Sequence, residues 1–116
     1  MVEVQPIPVD GRVAIGVKVE LPKTRLIAIA TPAGYLMCGA LDVKLLDERL
    51  GARRIVAGRA LGVRDFGDLL EQPLESVTTT ARELGLRPGM KGRDALRLLL
   101  EHAASAGEAQ AGAGVG

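Results

Sequence analysis

The sequence predicts an α+β or mixed α/β domain: an antiparallel N-terminal β-meander, two βα units, then two C-terminal helices. Three observations point there. Val13, Ile15, Val17, Val19 and Leu21 alternate with Ala14, Gly16, Lys18 and Glu20, the period of a strand with one buried face. An apolar run, a glycine and the pattern Ala-Leu-x-Val occur twice, around Gly39 and around Gly58. Leu96, Leu99, Leu100 and Ala103 then recur at spacings of three and four, as on one face of a helix.

Taken in order, residues 2 to 9 alternate weakly, and Pro6 and Pro8 lack amide donors. They confine that segment to a sheet edge or a subunit contact. Asp10-Gly11 signals a turn, and the strand 13–21 follows. Pro22-Lys23-Thr24 makes a short connection. Leu26 to Ala30 is continuously apolar, as expected of a strand covered on both faces. Thr31-Pro32-Ala33-Gly34 suits a type I turn, and Tyr35 to Cys38 forms the next strand.

Asp42 can cap a helix with apolar positions Val43, Leu46 and Leu50, which Gly51 ends as a left-handed cap. Arg54 to Ala57 returns as a strand, and Asp65 to Leu70 makes one or two helical turns. Gln72-Pro73 breaks them. Pro73 opens a helix with Leu74, Val77, Ala81 and Leu84 on one face, stopped by Gly85. Thr78, Thr79 and Thr80 are unusual inside it, since β-branched residues lose entropy there. One reading has them line a polar pocket; the favoured one has Thr78 pack inward, with Thr79 and Thr80 facing solvent. The last helix runs from about Arg93 to Ala103. Residues 1–104 thus form one domain. From Ser105 only Ala, Gly, Val, Glu, Gln and serine remain, and a disordered tail over 105–116 is expected.

Composition limits the function. The chain has 116 residues, 47% hydrophobic, with one Phe, one Tyr and no Trp. Its core must be aliphatic, and it offers no stacking platform for single strands. A net charge of +1 supplies no field for nucleic acid or an anionic membrane. The mixed charges around Arg49, Arg53, Arg54, Arg59 and Arg64 read as a solvated surface. No apolar run is long enough to span a bilayer, and Met1-Val-Glu-Val-Gln-Pro is not a secretory leader. A single cysteine precludes an internal disulfide and fits the reducing cytoplasm. Phosphate-loop, His-Glu-x-x-His and Cys-x-x-Cys signatures are absent, and no metal or cofactor is expected.

The candidate site lies at Gly39 and Gly58. If the strands before them are parallel neighbours, both turns lie at carboxyl ends, where open α/β sheets bind ligands. There Cys38, Gly39, Asp42, Gly58 and Arg59 would surround a small anionic ligand, with Arg59 as its fork. The bland alternative makes the glycines simple turns, Asp42 a cap and Arg59 half of an ion pair. A second reading makes Cys38, beside a helix N-terminus, the nucleophile of a small enzyme. It needs a base, and His102 is the only histidine. A third is a structural or regulatory assembly protein without a ligand.

The motifs Gly34-Tyr35-Leu36-Met37-Cys38-Gly39-Ala40-Leu41-Asp42, Ala57-Gly58-Arg59-Ala60-x-Gly62-Val63, Pro73-Leu74-Glu75-x-Val77-Thr78 and Gly85-x-x-x-Gly89-Met90 are specific as a set. Over about residues 6 to 100 the chain resembles the YunC-like family, a bacterial and archaeal domain of unknown function. That resemblance implies a small α/β protein whose N-terminal strands, within residues 1–31, build a homotetramer. It carries no activity and no catalytic residue.

Overall fold

The computed structural model describes residues 1–40 and 42–112, with side chains described through residue 105. Six strands form one sheet in chain order: β1 (Val2–Val9), β2 (Arg12–Leu21), β3 (Thr24–Ala30), β4 (Tyr35–Met37), β5 (Ala57–Arg59) and β6 (Ser76–Val77). β1 to β4 are antiparallel, β4 and β5 are parallel, and β6 returns antiparallel. The helices are α1 (Val43–Glu48), α2 (Phe66–Glu71), α3 (Thr79–Glu83) and α4 (Gly92–Gly112). The predicted meander and both βα units are present: β4 leads to α1, and β5 to α2.

Local chemistry explains most joints. Val9 pairs with Arg12 across a two-residue turn. Both turn residues, Asp10 (φ 48) and Gly11 (φ 80), are left-handed, as a type I′ hairpin requires. β1 lies at the edge. Glu20 donates to the Met1 carbonyl at 2.8 Å and Met1 donates back at 3.4 Å. Since bonded and non-bonded pairs alternate along an antiparallel ladder, the even residues of β1 turn their nitrogens away from β2. Pro6 and Pro8 occupy two of those positions, so they cost the hairpin no ladder bond and blunt its edge. After α3, Leu86 donates to the Ala81 carbonyl and Gly85 (φ 104) to that of Arg82. This is a Schellman closure, and Gly85 ends its helix as the sequence predicts.

The main core lies on the sheet's inner face, where Ile7, Val9, Ala14, Ile27, Ile29 and Leu36 meet Phe66 and Leu69 of α2 and Leu96 and Leu99 of α4. A second, smaller cluster on the outer face joins Val43 and Leu46 of α1 to Ala57.

Four expectations need correction. In β2 the buried face is Ala14 and Gly16, while Val13 and Ile15 are exposed. Phe66 claims the space over Gly16: a Cβ there would lie 2.8 Å from its ring, so the small residues must point inward. Gly51 does not cap α1, which ends at Glu48 with Arg49 as its C-cap; it begins a 3-10 turn closed by left-handed Arg54 (φ 50). Residues 73–77 are extended rather than helical. Leu74 exchanges backbone bonds with Met90 and Gly89, Ser76–Val77 pair with β5, and Thr78 caps the helix that begins at Thr79. Finally, α4 continues through Gly112, where a tail was expected from Ser105. Its alanines are the strongest helix formers. Residues 113–116 lie outside the described residues.

Candidate functional site

The register Tyr35↔Ala57, Leu36↔Gly58 and Met37↔Arg59 makes β4 and β5 parallel neighbours, as the sequence predicts. The helices that follow them diverge. α1 packs on the outer face with Ala57, and α2 on the inner face with Leu36. Such a divergence opens a crevice beyond the carboxyl ends of the two strands.

The structure brings Asp42 and Arg59 together there. They line a cleft of ≈ 340 Å³ with Val43, Lys44, Asp47, Glu48, Glu75 and Ser76. Asp42 accepts from the Leu45 amide at 2.9 Å as the α1 cap. Arg59 reaches the Glu75 carboxylate through Nε at 2.8 Å and through its terminal nitrogen at 2.7 Å. Ser76 Oγ donates to the same oxygen at 2.7 Å. The Ser76 hydroxyl first, and the Arg59 guanidinium next, hold the Glu75 carboxyl below the usual range. Asp47 accepts from the Thr79 amide at 2.9 Å, tying α1 to α3.

The other three predicted residues stand apart from the described lining. Gly58 is not in a turn. It lies inside β5 and is buried, and a Cβ there would press on Leu36 and Leu74 at 3.1 Å. Its bareness makes room for the core rather than for a ligand. Gly39 is exposed and faces Leu61, not Gly58, because the repeat in the sequence is offset from the strand register. Cys38 is 7% exposed in the main core. Its sulfur accepts from the Ile27 amide at 3.5 Å. α1 begins only at Val43, so Cys38 does not open a helix. His102 is exposed on α4, and no hydrogen bond joins it to Cys38.

The sequence reading does not name Val43, Lys44, Asp47 and Glu48 of α1 as lining residues, nor Glu75 and Ser76, which it places in a helix. The Ser76-Val77-Thr78 run, rich in β-formers, is the signal that marks a strand there. Among the described residues, no group of three or more His, Cys, Asp or Glu could hold a metal ion, and no helix is long and apolar enough to cross a membrane.

A six-stranded, mostly antiparallel sheet with one parallel pair, and a polar cleft at that pair's end, defines a small α+β domain. The family described as "Domain of unknown function (DUF1805)" matches residues 37–99, and the chain belongs to it. It is similar to "Uncharacterized protein YunC" of Bacillus subtilis (strain 168), 52% identical over 101 residues, covering 87% of this chain and all of that one. Among solved structures it is similar to a protein of unknown function from Thermoplasma acidophilum, TA1206. The TM-score is 0.76 at 27% identity, over 85% of this chain and 93% of that one.

Proposed function

We propose that this protein is a cytoplasmic homo-oligomer, assembled through the outer face of β1–β3, that binds a small polar ligand in the Asp42–Arg59–Glu75 cleft. A tetramer is the order the family resemblance implies. The observation that carries assembly is the bare outer face. Val2, Val4, Val13 and Ile15 are 64%, 62%, 57% and 45% exposed. Val2 faces Val19, Val4 faces Val17, and Pro6 faces Ile15, so they form one continuous apolar surface. Isolated exposed valines are ordinary, but a contiguous sheet face marks an interface. The free, buried Cys38 suits a reducing compartment.

The test is light scattering with the full chain. Wild type is expected to run at a multiple of 12.1 kDa, and the double variant Val4→Glu, Ile15→Glu at one chain's mass with an unchanged circular dichroism spectrum. A monomeric wild type would overturn the assembly.

The ligand's charge differs from the anion expected at this turn. Asp42, Asp47, Glu48 and Glu75 outnumber Lys44 and Arg59, and Arg59 already meets Glu75. An anion would have to displace that carboxylate, whereas a hydroxylated or amine-bearing molecule would meet it. Thermal-shift screening with such compounds should raise the melting temperature of wild type and not of Glu75→Gln. No shift across the panel leaves the assembly without a ligand as the better reading. The Cys38 enzyme gains nothing from this geometry, since its thiol lies in the core.

A further inference from the structure

The structure points to a second site at the same rim of the sheet, on the other side of β4 and β5. The turn joining β2 to β3 and the segment that follows β5 enclose a cleft of ≈ 470 Å³, lined by Glu20, Leu21, Lys23, Thr24, Arg25, Val63 and Arg64. We infer that this cleft binds a compact, multiply charged anion, a small molecule bearing several phosphate or carboxylate groups.

Three of the lining side chains are cations and one is a carboxylate, in a chain whose overall charge is +1. Positive charge is therefore gathered here rather than spread evenly, and such a cleft concentrates anions. The one carboxylate, Glu20, pairs with Arg25 at 3.8 Å, which leaves the lining two cations in excess. Arg25 is held in place before any ligand arrives, because it donates to the Arg64 carbonyl at 3.0 Å. The Arg64 amide is in turn held by Asp68 at 3.0 Å, which fixes that wall of the cleft to α2. With Nη1 on the Arg64 carbonyl and Nε facing Glu20, Arg25 keeps Nη2 as a donor for a phosphate or carboxylate.

Two features limit the guest. The volume is of the size that takes small molecules. Among the described residues no aromatic side chain lines it, so a compact polyanion fits better than a nucleotide. This site is separate from the Arg59 cleft, whose carboxylates outnumber its cations.

The experiment is calorimetric titration of the full-length protein with pyrophosphate and, separately, citrate at low ionic strength, where exposed charges are least screened. Wild type is expected to bind at least one of them, and the stronger of the two assigns the site to phosphate or carboxylate ligands. Lys23→Asn combined with Arg25→Gln is expected to weaken that binding at least tenfold. Both residues are exposed, and asparagine tolerates the left-handed backbone at position 23 (φ 64) better than most residues. Lys91→Gln, which removes a cation paired with Glu71 elsewhere, is expected to bind as wild type does. Absence of binding by either anion, or equal binding by wild type and the double variant, would overturn the inference.

Discussion

The first residue of α4, Gly92, lies directly against the Leu69 carbonyl of α2, so that a Cβ on Gly92 would sit 1.8 Å from that oxygen. Gly92 also donates to the Gln72 carbonyl at 3.1 Å. The two helices that cover the inner face therefore meet backbone to backbone, with no flexible side chain to give way. Gly92→Ala is expected to cost more than about 3 kcal/mol, the range of severe overpacking, read as a large drop in the urea midpoint or as insoluble protein. Gly67, on the exposed side of α2, meets nothing closer than 3.4 Å. Gly67→Ala should raise stability by about 0.5 kcal/mol through helix propensity, read as a higher midpoint.

Thr78 is buried and its hydroxyl serves three backbone groups. It donates to the Ile55 carbonyl at 2.7 Å and accepts from Ala57 and Ala81 amides at 3.2 Å each. It thereby ties β5, β6 and α3 together at one atom. Thr78→Val keeps the shape and strands these groups, at a cost of about 2–3 kcal/mol. Thr78→Ser keeps the hydroxyl and should lose less. Chemical denaturation of the two variants side by side makes the comparison.

Cys38 should react with iodoacetamide only as fast as the protein opens. Its sulfur is engaged with the Ile27 amide and shielded by the core. Native labelling is expected to be slow at neutral pH and to become rapid in denaturant. Rapid labelling of the folded protein would restore the thiol as a candidate nucleophile.

The pH dependence follows from Glu75 and Glu71. Ser76 and Arg59 lower the pKa of Glu75, while Arg93, by hydrogen bond and then by charge, lowers that of Glu71. A carboxyl with a depressed folded pKa contributes stability above its unfolded value, about 4.3. That contribution is lost as pH falls through the lower folded value. Glu75→Gln combined with Glu71→Gln should therefore flatten the acid limb of the stability curve below about pH 4.3. Urea midpoints between pH 6 and pH 3 measure it.

Much of this fold was legible because its signals are local. Asp10-Gly11, the proline-bearing edge, the Asp42 cap and the Gly85 stop each depend on residues within a few positions, and each was read correctly. The parallel pairing of the two repeated strands was legible too, from their spacing. What was not legible depends on partners far along the chain. Nothing near β2 says that Phe66 will lie over Gly16, and that contact decides which way the valines face. β6 is two residues long and owes its existence to β5. The site suffered for the same reason. Asp42 and Arg59 line one cleft, but Glu75, which holds Arg59, lies sixteen residues beyond it in a stretch that reads as helix.

The two prolines of β1 carry a consequence for concentrated solutions. With nitrogens that cannot donate pointing outward at positions 6 and 8, that border is a poor template for a further strand, and the opposite border, β6, spans only two residues. Growth by adding strand to strand is therefore disfavoured at both borders. Copies that meet through the valine surface should stop at a particle of fixed size rather than extend into fibrils, even when the protein is crowded.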